Sequence, residues 1–372
     1  MKKVWIAADC VVSPLGNTTL QNYQNLREGN SGIHFIDERN LGPEGFYGAR
    51  IKGSGHDGEL TKFESICGKA IQQVKDLAAI PVDRTIFILS TTKGNIAFLE
   101  EGLPNHPRIH LHAVAGFLAG KFGFKKHLVV SNACISGLMA LIVGKRMIES
   151  GQYDHAVVVG ADIMSRFVIS GFQSLQALSS APCRPFDAAR QGINLGECAA
   201  AIVLTSNPEE LRVKPTIRIS GGGFSNDANH ISGPSRTGEE LVFAIQQALG
   251  EADVSKDDID FISAHGTATL YNDEMEAKAF NMIRMDHVPM NSLKGYFGHT
   301  LGAAGIVEIA MSAQSLVHNE LIASAGFETL GVSETVNVIQ KLEKRPLKMC
   351  LKTASGFGGC NAAVIIKKEN NF

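Results

Sequence analysis

The sequence predicts an α/β fold, with helices on the faces of a parallel or mixed sheet. Three observations carry this. Residues 86–90, 127–130 and 156–160 are continuous apolar runs of strand length, as strands covered on both faces require. Residues 137–148, between the last two runs, have the composition of a helix, which makes a β-α-β unit. Strand and helix patterns alternate again after residue 208.

In chain order, residues 4–6 open a buried strand. The start Met1-Lys2-Lys3 mimics a signal peptide, but Asp9 ends the apolar run too early for an apolar signal core. Residues 13–17 form a turn and residues 20–26 a helix. After the three apolar runs, the polar stretch Ser206-Asn207-Pro208-Glu209-Glu210 marks a soft boundary, dividing the chain into halves 1–208 and 209–372. The second half has strands at 216–220, 261–263 and 362–366 and a helix at 239–249. Gly221-Gly222-Gly223 lacks the lysine of a phosphate loop and reads as a strand bend. Residues 128–141 and 288–310 echo each other: strand, polar turn with a reactive residue, small-residue helix.

Composition narrows the function. The 372 residues are 44% hydrophobic and 19% charged, which gives a large core and excludes a disordered chain. At about 150 residues per domain, this is two domains or one body built from two halves. A net charge of −2 argues against a nucleic-acid partner bound through a global basic field. No apolar segment reaches the roughly 18 residues of a membrane span. Seven cysteines without a CxxC pair point to a reducing cytoplasm rather than a disulfide framework or zinc ribbon.

Cys134 stands where an apolar strand ends and a small-residue helix begins. A helix N-terminus favours thiolate, the nucleophilic form, although a free cysteine is also an ordinary core residue. His265 follows an apolar strand in Ser263-Ala264-His265-Gly266-Thr267-Ala268-Thr269. His299 lies between glycines in Gly298-His299-Thr300-Leu301-Gly302, five positions after Lys294 and nine before Glu308. Glycine flanks let backbone and ligand approach closely. His106, His110 and His112 form a second group, with the last two on one face of a strand, but no acidic or cysteine ligand accompanies them. No metal is expected.

Together these motifs, with Val11-Val12-Ser13-Pro14-Leu15-Gly16, Arg184-Pro185-Phe186-Asp187, Gly196-Glu197, Ala303-Ala304-Gly305 and Gly356-Phe357-Gly358-Gly359, resemble the β-ketoacyl synthases nearly end to end. The likeness is to the Cys-His-His condensing enzymes of type II fatty acid and polyketide synthesis. It implies the thiolase fold, a duplicated α-β-α-β-α five-layer architecture, usually dimeric. It also implies decarboxylative Claisen condensation of malonyl-acyl carrier protein with an acyl group on Cys134. His265 and His299 would assist decarboxylation, Lys294 would order the histidines, and Glu308 would hold Lys294 or a nearby loop. The amides of Cys134 and Phe357 would form the oxyanion hole. Phe357 and Phe172 would gate the cysteine. Thr267 and Thr269 would bind the phosphopantetheine arm, although turn capping explains them equally well. That arm belongs to the carrier protein, so no resident cofactor is implied. The partners implied are acyl carrier protein and a second subunit, either a copy of this chain or a ketosynthase-like relative.

The chain departs from the family in being shorter before Cys134, in Leu270-Tyr271-Asn272-Asp273, and in Cys360 after Gly359. A second cysteine leaves thiolase-like acyl-CoA condensation as an alternative, and a chain-length-shaping partner subunit is another. The departures suit a specialised pathway such as aryl polyene pigment assembly.

Overall fold

The alternation of the apolar runs decides the layering. In the computed structural model, which describes residues 2–42, 44–53, 56–211, 214, 216–227 and 233–369, Ile86 and Ile88 face one core and Phe87 and Leu89 another. Ala156 and Val158 divide from Val157 and Val159 in the same way. A strand buried on both faces therefore has helices above and below.

Ten strands make one sheet. They are β1 (Val4–Val12), β2 (Thr85–Ser90), β3 (Lys126–Val130), β4 (His155–Asp162), β5 (Cys198–Thr205), β6 (Ile217–Asn226), β7 (Phe261–Ser263), β8 (Met290–Asn291), β9 (Met349–Gly356) and β10 (Cys360–Lys368). Their order across the sheet is β8-β7-β9-β10-β6-β1-β5-β4-β2-β3. Each half repeats one plan. Its second strand lies between the third and fourth, parallel to both, and its fifth returns antiparallel beside its first. The halves meet where β1 pairs with β6 at Val4↔Ile219 and Trp5↔Arg218. The soft boundary at 208 falls in the turn between β5 and β6.

The principal helices are α1 (Thr19–Arg27), α2 (Lys62–Leu77), α3 (Leu111–Lys121), α4 (Ser136–Glu149), α5 (Arg166–Ser174), α6 (Glu239–Ala252), α7 (Leu270–Met282), α8 (Lys294–Phe297) and α9 (Ala304–His318). A capping box of Thr61 and Glu64 starts α2. Its buried stripe Phe63, Ile66, Cys67, Ala70, Ile71 and Val74 packs with α3 on the outer face of the first half. Leu241, Ile245, Met275 and Phe280 of α6 and α7 cover the outer face of the second half. Between the half-sheets lie α4 and α9, with Leu138, Leu141, Ile306, Ile309 and Ala310 in one core. The layers run helix, sheet, helix, sheet, helix. This is the five-layer thiolase fold that the resemblance implies.

Two local expectations are corrected. His110 and His112 do not share a strand: His110 precedes α3 and His112 lies in its first turn, with their rings 5.7 Å apart. Val114, Ala115, Leu118 and Ala119 set a helical burial period that a two-residue spacing does not reveal. Residues 127–130 are not covered on both faces: β3 is the edge strand, with His127 exposed and Leu128 and Val129 half-buried. The triple glycine is a strand bend, as expected. β6 runs through it after a register shift between Ile219 and Gly221, and α6 sits directly on it. A Cβ on Gly221 or Gly223 would lie 2.1 or 2.2 Å from the carbonyl oxygen of Ala248 or Ala244. No helix among the described residues is long and apolar enough to cross a membrane.

Candidate active site

Cys134 sits on a tight turn between β3 and α4. Ala133 before it adopts φ 44°, in the left-handed region. Ser136 closes the turn: its Oγ accepts from Asn132 N–H at 2.7 Å and donates to the Ala133 carbonyl at 2.6 Å. The small residues after His299 bring the second half onto this turn. A Cβ on Gly305 would lie 2.6 Å from Leu138 N, and one on Gly137 3.0 Å from Ile306 N. These glycines let α4 and α9 meet backbone to backbone, which carries His299 to the cysteine.

His299 Nε2 lies 2.9 Å from Cys134 Sγ. His299 N–H donates to Asn194 O at 2.7 Å, and its carbonyl accepts from Gly196 N–H at 2.9 Å. Leu301 N–H donates to His299 Nδ1 at 3.3 Å, so Nδ1 is an acceptor and Nε2 carries the proton. His265 reaches the site from the end of β7. Its N–H and that of Gly266 donate to Glu276 at 2.8 and 2.6 Å. Lys294 Nζ donates to the His265 carbonyl at 2.6 Å and lies 3.3 Å from His265 Nδ1. An ammonium only donates, so His265 also keeps its proton on Nε2. The two rings meet edge to face with centroids 5.2 Å apart. One sulfur and one ring nitrogen from each histidine all lie within 4.8 Å of one another.

Burial, and after it the Lys294 charge, hold both imidazoles well below the ordinary histidine range. The rings are therefore neutral at pH 7, and each offers one Nε2–H donor. Unfolding frees them to protonate, so the unfolded chain binds more protons below pH ~6.5. Stability is full above that value and is lost as pH falls, by up to about 1.4 kcal/mol per pH unit for each ring. Thermal melts between pH 7 and pH 5 are expected to show a falling midpoint; a flat profile contradicts neutral burial.

The thiolate expected from the helix terminus meets an opposing force. Burial pushes the Cys134 thiol up to about 12, against the pull of Lys294 and of the Phe357 N–H bonded to sulfur. The resting group is a thiol. Phe357 N–H and the Cys134 turn lie together because Gly356 lacks a Cβ, which would sit 3.1 Å from Cys134 N.

Lys294 Nζ pairs with Glu308 Oε1 at 2.9 Å, and both side chains are buried. Thr267 Oγ1 and Thr269 Oγ1 are 2.8 Å apart, and Thr269 also caps α7. Phe172 on α5 stacks on Phe357 with centroids 5.7 Å apart, and Phe357 is 39% exposed. Cys360 is buried behind Gly356, its thiol pushed up to about 11 by burial. It borders a cavity of about 300 Å³ with Asn132, Ile135, Met139 and Phe224. The sulfur and two nitrogens resemble a zinc donor set, but the neighbouring Lys294 and Lys352 ammoniums repel a dication.

Sequence reasoning missed four supports. Glu276 holds the His265 loop. Asp273 accepts from Thr267 N–H at 2.8 Å and Phe186 N–H at 2.7 Å, which gives the divergent Leu270–Asp273 stretch a holding role. Asp162 accepts from Gly302 N–H at 2.7 Å and from Thr91 and Thr92. Lys352 pairs with Glu308 Oε2 at 2.7 Å. A lysine inside the otherwise uncharged strand 349–356 was the one available sequence signal.

Residues 89–210 match the family model "Beta-ketoacyl synthase, N-terminal domain", and residues 217–328 match "Beta-ketoacyl synthase, C-terminal domain". A putative mitochondrial 3-oxoacyl-[acyl-carrier-protein] synthase of Schizosaccharomyces pombe is 27% identical over 99% of both chains. The 3-oxoacyl-[acyl-carrier-protein] synthase 2 of Rhizobium meliloti is 34% identical over 65% of this chain and 60% of its own. A chain of the complex between a ketosynthase (ApeO) and its chain length factor (ApeC) from Xenorhabdus doucetiae superposes with TM-score 0.88 at 28% identity, covering 99% of this chain and 98% of that one. Two matched halves, full-length likeness in sequence and the same fold agree: the chain belongs to the β-ketoacyl synthases, a family of acyltransferase-type condensing enzymes.

Proposed function

We propose that Cys134, His265 and His299 carry out decarboxylative Claisen condensation on carrier-protein thioesters. The observation that carries this is the pair of buried Nε2–H donors converging beside one thiol. Cys134 sulfur attacks the acyl thioester carbonyl, and its proton passes to the departing phosphopantetheine thiolate. Malonyl-carrier protein then enters, with its arm held by Thr267 and Thr269. Loss of carbon dioxide leaves an electron pair as an enolate, whose oxygen sits against the two Nε2–H groups. The enolate carbon attacks the acyl-Cys134 carbonyl. The oxyanion is held by the N–H groups of Cys134 and Phe357, and collapse expels the Cys134 thiolate, which regains a proton from water. The product is a 3-oxoacyl-carrier protein.

Lys294 keeps the His265 ring oriented, Glu308 keeps Lys294 in place, and Phe172 and Phe357 close the entrance. The site needs no resident cofactor. The partners are acyl carrier protein and a second ketosynthase-type subunit, in keeping with the complex of the Xenorhabdus relative. Seven unpaired cysteines fit a reducing cytoplasm. The short segment before Cys134 and the altered loop after His265 support a specialised pathway such as polyene assembly.

Intact-mass analysis with a panel of acyl- and malonyl-carrier proteins tests the reading. An acyl adduct on the chain, carbon dioxide release and a 3-oxoacyl product are expected. No adduct with any donor, alone or with a partner subunit, overturns it. Product formed only with a partner subunit places the chain in an obligate heterodimer.

A further inference from the structure

Lys352 is wholly buried on β9, and its ammonium faces the support of the active site. Nζ donates to the carbonyl oxygens of Ser263 at 3.1 Å and Ala264 at 2.9 Å, the two residues before His265. It also lies 2.7 Å from Glu308 Oε2, while Lys294 takes Oε1 at 2.9 Å. One carboxylate therefore bridges two buried ammoniums, one on the strand and one beside His265.

We propose that Lys352 is a positioning residue for the reaction: its tethered ammonium fixes the peptide leading into His265 and, as second counter-cation of Glu308, leaves Lys294 aimed at His265 Nδ1. This rests on the condensing activity proposed above. The charge count explains why two lysines differ from one. Glu308 and Lys294 alone are neutral as a pair, and Lys352 makes the trio net positive. Among the described residues, the other charged or titratable groups that interact with it include Glu276 on α7, which raises the proton affinity of Lys352, the Cys350 thiol on its own strand, and the two histidines. The Lys352 charge adds to burial and Lys294 in disfavouring imidazolium at both rings. Burial itself lowers the Lys352 pKa, and Glu308 supports the charged form. A passive ion pair that only joins β9 to α9 would have no such influence on the rings.

Two variants separate the readings. Lys352→Met keeps the apolar stem and removes the charge. Lys352→Ala leaves a hole the size of a propylammonium ion, whose far end, lined by two carbonyls and a carboxylate, can take an ammonium ion. Decarboxylation of malonyl-carrier protein by Lys352→Met is expected to fall about tenfold near pH 6 but only about twofold near pH 8, as the rings regain protons on the acid side. Ammonium chloride is expected to restore much of the lost rate of Lys352→Ala, and tetramethylammonium chloride at equal ionic strength none. A Lys352→Met profile parallel to the wild type, or a Lys352→Ala rate indifferent to ammonium, overturns the proposal.

Imidazole NMR titration supplies a substrate-free readout. His265 and His299 are expected to stay neutral well below the ordinary histidine range in the wild type and to protonate at a distinctly higher pH in Lys352→Met. If the wild type decarboxylates nothing, the condensing reading fails and this titration alone decides the role of Lys352. Wild-type rings titrating near pH ~6.5 overturn it, as do variants that fold in neither salt, because Lys352 is then only scaffold.

Discussion

Cys134→Ala is expected to accept no acyl group from any carrier protein, yet to release carbon dioxide from malonyl-carrier protein within about tenfold of the wild-type rate. The two steps use different atoms. Acyl transfer forms a bond to Sγ, and nothing else within the 4.8 Å cluster is a comparable nucleophile. The histidine nitrogens of that cluster carry protons aimed into the site, as Leu301 N–H and Lys294 dictate. Decarboxylation needs those donors at the enolate oxygen and does not need sulfur. The substitution removes little volume, and His299 stays anchored by Asn194 and Gly196. Intact mass reads the first step and carbon dioxide release the second. Retained acylation sinks the assignment of Cys134; loss of both activities in a folded variant sinks the division of labour.

The resting thiol sharpens this expectation. A thiol pushed up to about 12 is a poor nucleophile until a thioester carbonyl displaces solvent and meets the N–H groups around sulfur. The same burial keeps the imidazoles neutral. One buried site therefore suppresses the cysteine at rest and readies the histidines, and substrate must supply the polarity that starts the cycle.

Local order explains what the sequence revealed. The strands at 86–90 and 156–160 were legible because a doubly covered strand must be apolar throughout, whereas 127–130 is an edge strand with His127 exposed and Leu128 and Val129 half-buried. Cys134, His265 and His299 were legible because each lies in a turn whose glycines and small neighbours are adjacent in sequence. The supports were hidden because each acts across the fold. Asp162 meets Gly302 from 140 residues away, and Lys352 meets Ser263 from 89. Asp162 ends a strand and Glu276 sits within a helix, where carboxylates look like surface residues until the packing turns them inward. Burial of Cys134 was also invisible, since the helix terminus is local and the desolvation is global.

His265→Ala is expected to lower malonyl decarboxylation by about 10²–10³-fold, the usual cost of one lost oxyanion donor, while the acyl adduct on Cys134 still forms. The asymmetry follows from distance and anchoring. It is His299 whose Nε2 lies 2.9 Å from Sγ; the bonds of His265 run to Lys294 and, through its backbone, to Glu276. Loss of the His265 ring thus removes one of two enolate donors and leaves the cysteine's own contacts. His299→Ala should differ by slowing both steps, because that ring also faces sulfur. Glu276 and Lys294 hold the backbone at residue 265 through its N–H and carbonyl, which an alanine retains, so the loop is expected to keep its path. Single-turnover acylation and carbon dioxide release, measured on both variants after matched thermal melts, give the comparison. If His265→Ala impairs both steps equally, the ring serves the cysteine as much as the enolate, and the separate roles drawn from distance and anchoring are wrong.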